Sequence, residues 1–249
     1  MTKKLVLITG ASGGIGRETA KLLAKNNYFV VIHYHKNQQK AQAILKEIEA
    51  FNGHGLVVQA DCSKEIEVKQ LYETIDQING RFYGLVNNVG TLDKKSRLDQ
   101  MGEKRLNFIF QTNIISYFLC AKYAILRLSK KYGHTGGVIV NVSSRASVIG
   151  SANEYIDYAA SKGAIDSLTV GLANEVANEG IRVNCVRPGF IETDIHLKSG
   201  DPNRLEKIKA NIPLKRAGKA YEVAESILWL ISDKSSYTTG SFIDVAGGR

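Results

Sequence analysis

Short apolar runs of strand length, separated by segments of helical spacing, recur about seven times along this chain of 249 residues. No other feature restricts its fold as much. The runs lie at 4–9, Phe29–Tyr34, 56–59, 84–87, 138–142, 182–186 and Phe242–Val245. Between the first two, Ile15, Thr19, Leu22 and Leu23 return at helical intervals, and Ile44, Leu45 and Ile48 do so over 41–51. Further helices are expected over 65–78, from the polar loop 91–99 to about residue 131, through Tyr158 to Glu179, and over 223–232. Gly180 is a natural stop for the Tyr158 helix. Strands that are apolar throughout belong in a parallel sheet covered on both faces, so the fold class is α/β, one domain with a doubly wound parallel sheet of about seven strands. An eightfold barrel competes at this length, but the first turn, described below, argues against it.

Composition excludes several function classes. The formal charge is +9, yet the basic residues are scattered over helices and loops with no aromatic-interleaved stripe, so no nucleic-acid partner is expected. The apolar runs are far shorter than a membrane span, and Met1-Thr2-Lys3-Lys4 leads into no signal-peptide core, so a cytoplasmic protein without a membrane partner is expected. Cys62, Cys120 and Cys185 form no Cys-x-x-Cys pair and are expected as free thiols, with no metal site. His33 and His35 share a strand face, but spacing offers no third ligand. Asn141-Val142-Ser143 fits a glycosylation pattern inside an expected core strand and is set aside.

The first turn, Thr9-Gly10-Ala11-Ser12-Gly13-Gly14-Ile15-Gly16, lies where a strand feeds a helix. Glycines there let the backbone bend sharply and let a pyrophosphate reach the helix N-terminus, where free N–H groups and the helix dipole favour anions. Gly10, Ser12, Gly13, Gly14, Ile15 and Gly16 are therefore candidate dinucleotide contacts. At the end of the second strand, a carboxylate would hold the ribose hydroxyls of the non-phosphorylated cofactor. None occurs here; instead His35, Lys36 and Asn37 follow the strand, with Lys36 about 20 residues after Gly16. A lysine and an amide suit a 2′-phosphate, so NADP(H) is favoured and NAD(H) is the alternative; Arg17 could contribute. Asp61, with Cys62 beside it, follows the third strand, where it could meet an adenine edge or cap a helix together with Ser63.

Tyr158 and Lys162 stand one helical turn apart and project from one face. With Ser144 delivered from a strand end, they could form a proton-donating site. Alone, the pair could equally be a surface tyrosine and lysine, since 11 tyrosines make one such spacing expected by chance.

Together these motifs resemble the short-chain dehydrogenase/reductases over essentially the whole chain. The resemblance is carried by Thr9-Gly10-x-x-x-Gly14-x-Gly16, Asp61, Asn87-Asn88-Val89-Gly90, Asn113, Ser144, Tyr158-x-x-x-Lys162, Pro188-Gly189 and the run from Thr239-Gly240 to Gly248. It implies a Rossmann-type fold and hydride transfer between a nicotinamide and a carbonyl or alcohol carbon of a small molecule. Tyr158 would be the general acid/base, Lys162 and Ser144 its helpers, and Asn113 the holder of a relay water. Asn88, Val89, Gly90, Pro188, Gly189, Ile191 and Thr193, with Tyr158 and Lys162 again, would touch the cofactor. A homotetramer or homodimer and a substrate lid around 194–213 are implied as well. Arg145 and Glu154 flank the site and could reach the substrate or pair with each other. Three departures stand out: Gly13 lacks the basic character many NADP-dependent members have there, Val89 replaces the usual alanine, and the interval from Ser144 to Tyr158 is one residue longer than common. Ser144 is chosen over Ser143 because the family's serine is normally the second of the pair. Competing readings are a 3-oxoacyl-carrier-protein reductase, an NAD-dependent sugar or alcohol dehydrogenase, and a nucleotide-sensing protein without catalysis. Glu179 is acidic where a basic residue would greet an acidic carrier protein.

Overall fold

The computed structural model describes residues 2–193 and 209–249. The chain opens with strand β1 (Lys4–Ile8), helix α1 (Gly14–Lys25), β2 (Phe29–Tyr34), α2 (Gln38–Glu49), β3 (His54–Gln59), α3 (Glu65–Asp76) and β4 (Arg81–Asn87). A second half follows with α4 (Glu103–Phe110), a π-helical turn at Gln111–Ile115, α5 (Ser116–Leu128), β5 (Gly137–Val142), the short α6 (Ala146–Ile149), α7 (Ile156–Val176) and β6 (Ile181–Pro188). The two-residue strands β7 (Ile191–Glu192) and β8 (Gly218–Lys219) pair with each other, and α8 (Ala220–Ile231) and β9 (Phe242–Val245) complete the described elements.

The main sheet has seven strands in the order β3-β2-β1-β4-β5-β6-β9, all parallel. The expected doubly wound sheet is what forms. Alternation along β1 explains why: Val6 and Ile8 join one apolar core with Leu23, Ile44, Ile48, Val223 and Ile227, whereas Leu5 and Leu7 join another with Leu71, Ile75, Ala124, Ile139 and Val176. Thus α1, α2 and α8 cover one face, and α3, α5 and α7 the other, which buries β1 and its neighbours twice over. Gly180, at φ 80°, ends the turn that follows α7, as its position predicts.

Strand order reverses direction at β1, which has β2 on one side and β4 on the other. In an open sheet of this kind, ligands sit in the crevice beyond the carboxyl ends of the strands at that switch point.

The run Glu103–Leu128 is long and apolar enough to cross a membrane by length and composition, although the sequence reading placed no such span here. Ile109, Tyr117, Ala121 and Leu128 are nonetheless buried, while Phe108, Ile115, Phe118 and Leu126 on the same run are exposed. The expected lid falls mostly outside the described residues.

Candidate active site

A cavity of about 860 Å³ opens at the carboxyl edge, lined by residues that follow β1, β2, β3, β4, β5 and β6. At one end is the glycine turn. Gly10 and Gly14 sit at φ 64° and 54°, where a side chain would be strained. A Cβ on Gly16 would lie 2.6 Å from Asn88 Nδ2 and 2.8 Å from Gly10 O, so this glycine permits the close approach of turn to helix. Beyond Gly13 a Cβ would meet nothing within 4 Å, which leaves open space over the start of α1. No side chain caps α1, and no acidic residue occupies its first turn, so its leading N–H groups are available to an anion. These features fit a pyrophosphate.

The turn is pinned from both sides. Asn88 donates from Nδ2 to the carbonyls of Thr9 (3.0 Å) and Gly10 (3.2 Å), and its own N–H reaches Thr9 Oγ1 at 2.9 Å. From the other side, His33 accepts the Gly10 N–H at Nδ1 (3.0 Å) and lies 2.9 Å from Ala60 O through Nε2. That pair of contacts assigns the proton to Nε2. His33, considered above only as a metal ligand, is instead a strut between β2, β3 and the turn. Among the described residues, no group of three His, Cys, Asp or Glu could hold a metal ion.

His35, Lys36, Asn37 and Lys40 line the cavity where β2 ends. Lys40, one turn into α2, escaped the sequence reading, although its spacing from Lys36 is helical. Arg17 does not join them. Its Nη2 pairs with Glu47 at 2.7 Å, so the contribution considered for it is not seen. Asp61 and Cys62 also line this end. Burial would push the Asp61 carboxyl up, but hydrogen bonds from the Ser63 hydroxyl and N–H outweigh it and hold the group below its usual range. The three cysteines are free and buried.

The other end is built from side chains. Ser143 is buried and donates to Lys162 O (3.1 Å), a structural bond, while Ser144 is only partly buried and accepts the Ala146 N–H at 3.1 Å. Both serines line the cavity, and Ser144 is the more exposed of the two. Between Ser144 and Tyr158 the chain turns after α6, where Gly150, Ser151 and Asn153 adopt φ 75°, 50° and 59°. Helix α7 is anchored at its start by Asp157, which accepts the Tyr158 N–H (2.9 Å) and is gripped by Arg105 at 2.7 and 3.2 Å. Arg105 also donates to Lys94 O, so α4 and the loop before it fix the helix that carries Tyr158.

Lys162 is fully interior. Burial lowers its ammonium to about 8, and its Nζ donates to Val142 O (2.8 Å) and to Tyr117 Oη (3.2 Å) while lying 5.8 Å from the Tyr158 ring centre. Tyr117 in turn donates to Val142 O at 2.8 Å. Burial holds the Tyr117 phenol well above the usual range, so it stays neutral. This second phenol at the lysine was not read from the sequence; its place one helical turn after Asn113 was the available signal.

Of the residues expected at the site, Gly10, Ser12, Gly13, Gly14, Ile15, Val89, Gly90, Ser144, Tyr158, Lys162, Pro188, Gly189, Ile191 and Thr193 all line the cavity, as does Asn88. Gly16 and Asn113 do not. Asn113 is buried in the π-helical turn; its side chain accepts the Thr91 N–H (2.9 Å) and donates to Thr91 O (2.9 Å) and Ser161 Oγ (3.0 Å). Arg145 and Glu154 do not pair with each other. Arg145 bonds Asp244 (2.6 Å), and Glu154 bonds Lys95 (3.1 Å). Glu179 accepts from the Ser129 hydroxyl and so has an internal partner.

The chain is similar to known proteins along nearly its whole length. Residues 10–249 match the family described as enoyl-(acyl carrier protein) reductase. An uncharacterised oxidoreductase of Escherichia coli strain K12 is 51% identical over 245 residues, which cover 98% of this chain and 99% of the relative. A 3-oxoacyl-[acyl-carrier-protein] reductase of Staphylococcus epidermidis is 34% identical over 245 residues, 98% of each chain. A solved short-chain dehydrogenase from Burkholderia cenocepacia J2315, in complex with NADP, superposes with a TM-score of 0.90 at 28% identity and covers 98% of this chain and 97% of its own.

Proposed function

The chain belongs to the short-chain dehydrogenase/reductases, NAD(P)-dependent oxidoreductases, and on that premise we propose that it reduces the carbonyl group of a small molecule with NADPH. One observation carries the reading: Ser144, Tyr158 and Lys162 line the same cavity as an uncapped, glycine-bounded helix N-terminus.

NADP(H) over NAD(H) is supported by Lys36, Lys40 and Asn37 where β2 ends, by the lack of a carboxylate there, and by the NADP bound to the Burkholderia protein. The glycine turn would hold the pyrophosphate, Asp61 the adenine edge, and the segment Pro188 to Thr193 the carboxamide end. When bound, the nicotinamide supplies the hydride. Tyr158 holds the proton that the carbonyl oxygen takes up. A free tyrosine, at about 10, is a poor proton exchanger near neutrality. The adjacent Lys162 ammonium favours the phenolate and brings the group closer to the working range. Ser144 orients the substrate oxygen. Asn113 serves the relay by shaping the π-helical turn and fixing Thr91, with its side chain already bonded.

A 3-oxoacyl-carrier-protein reductase is the second reading, supported by relatives of that name at 34–35% identity. Against it, Glu179 offers no basic docking group. Exposed Phe108, Ile115, Phe118 and Leu126 on the α4–α5 run support assembly into a homodimer or homotetramer, to be measured by light scattering. The three free thiols suit a reducing, cytoplasmic compartment.

The deciding experiment is oxidation of NADPH and of NADH against ketones, quinones and acyl thioesters, with Tyr158→Phe as control. NADPH-linked ketone turnover that Tyr158→Phe reduces at least about 1,000-fold, with the cofactor still bound, is expected. A variant retaining near-normal activity would remove Tyr158 from the mechanism.

A further inference from the structure

The cavity's charge is lopsided in a way that the cofactor does not account for. Lys36, Lys40, Arg145, Lys162 and Arg249 line it, and among the described residues Asp61 is the one acidic side chain that does. Lys36 and Lys40 belong to the β2 end, suited to a phosphate, and Lys162 serves the proton chemistry. Arg145 is neutralised by Asp244 at 2.6 Å. Arg249 remains. A guanidinium is charged at any working pH. Among the described residues no acidic side chain pairs with the Arg249 guanidinium, and its Nη1 is buried without a hydrogen-bond partner. A buried donor left unsatisfied is costly and rare in native structures.

Arg249 is also fixed in place at the end of the cavity away from the turn. Its guanidinium lies over the Phe190 ring, 4.8 Å from the centre. Its main-chain oxygen accepts from Arg145 Nε at 2.7 Å, and the Arg145 N–H bonds Pro188 O at 2.9 Å. Arg145 directly follows Ser144, so this chain of contacts ties Arg249 to the strand end that delivers the substrate-orienting hydroxyl.

We infer that Arg249 makes the Ser144 end of the cavity a carboxylate-binding subsite, so that the substrate is a carbonyl compound carrying an acid group. The inference rests on the oxidoreductase reading and narrows its substrate class. The planar fork of the guanidinium matches a carboxylate in two parallel hydrogen bonds, and the Phe190 ring holds that plane still. An incoming acid would supply the acceptor that Nη1 lacks, with a small reorientation of the fork toward the cavity. A thioester, having no anionic group beside its carbonyl, would leave Arg249 unpaired.

The test compares neutral and anionic forms of one skeleton. Acetoacetate, 4-oxopentanoate and 5-oxohexanoate, each beside its methyl ester, are reduced with NADPH by the full chain and by its Arg249→Gln and Arg249→Lys variants. For at least one chain length, the wild type is expected to favour the acid over the ester by about 10- to 100-fold in kcat/KM, the span of a charged hydrogen bond. In Arg249→Gln that ratio collapses toward one, and in Arg249→Lys it recovers in part. Equal handling of acid and ester by the wild type, or a ratio that Arg249→Gln leaves intact, overturns the inference while the reductase reading stands. Should no pair turn over, calorimetric titration of pentanoate and pentanamide into the NADP-saturated protein decides. Tighter pentanoate binding that Arg249→Gln removes supports the subsite, and equal binding overturns it. A protein that binds neither NADP nor NADPH breaks the oxidoreductase reading itself.

Discussion

At the turn end of the cavity the groups that face a ligand are mostly backbone, drawn from consecutive residues of one strand–turn–helix unit. At the Ser144 end they are side chains brought together from β5, α7 and the segments after β6 and β9. The first construction tolerates little change in size, because its atoms are already in contact. The second tolerates changes in size but depends on which polar atom bonds which. In the proposed function both ends serve one reaction, so they should fail differently when altered.

The largest effect is expected from Gly16→Ala. The new Cβ would fall 2.8 Å from Gly10 O and 2.9 Å from Ala11 Cα, main-chain atoms that cannot yield cheaply. Stability should drop by about 1–3 kcal/mol in urea unfolding, with loss of dinucleotide binding in calorimetry. Unchanged binding would mean that the close approach of turn and helix is not what shapes this end.

A smaller effect is expected where β2 ends. Replacing Lys36 and Lys40 together by alanine should lower the preference for NADPH over NADH by about 10- to 100-fold, with NADH kinetics little altered. A uniform loss with both cofactors would show that these lysines act on the protein rather than on a 2′-phosphate.

The smallest effect probes the second construction. Lys162 keeps its charge below about 8, and its ammonium donates to Tyr117 Oη as well as to Val142 O. Tyr117→Phe removes that acceptor, which favours the neutral amine and lowers the lysine further. Loss of one hydrogen bond corresponds to a shift of about half to one pH unit. Carbonyl reduction should decline as pH rises through the lysine's range, because the charge that supports Tyr158 is lost. In the variant that decline should therefore begin at lower pH, while the two proteins converge in acid. A loss equal at all pH values would assign Tyr117 to packing alone.

How much could be read in advance follows the same division. Apolar runs and helical spacings reported the strand order's raw material, since burial on both faces leaves a local mark on every strand. The glycine turn was equally legible, because a sharp bend at a helix start demands particular residues at adjacent positions. Lys36 was visible, and Lys40 was missed only because its relevance depends on α2 starting at Gln38. By contrast, Tyr117 is marked only by its place one helical turn after Asn113, and nothing local distinguishes the Arg249 guanidinium from a solvated one. Ser144 could be preferred over Ser143 only by resemblance; both line the cavity, and the structure separates them by giving Ser143 to Lys162 O and leaving Ser144 the more exposed.

What the sequence by itself determined is therefore the alternating architecture, the dinucleotide end and the candidate pair Tyr158 and Lys162. Each depends on interactions among residues a turn or a strand apart. Only the tertiary structure decided that His33 braces the turn, that Tyr117 holds the lysine, that Arg17 faces Glu47, and that Arg249 meets the site beside Ser144 and Phe190. Those outcomes are set by contacts between residues distant in the chain, where direction and partner are fixed by packing and leave no periodic trace.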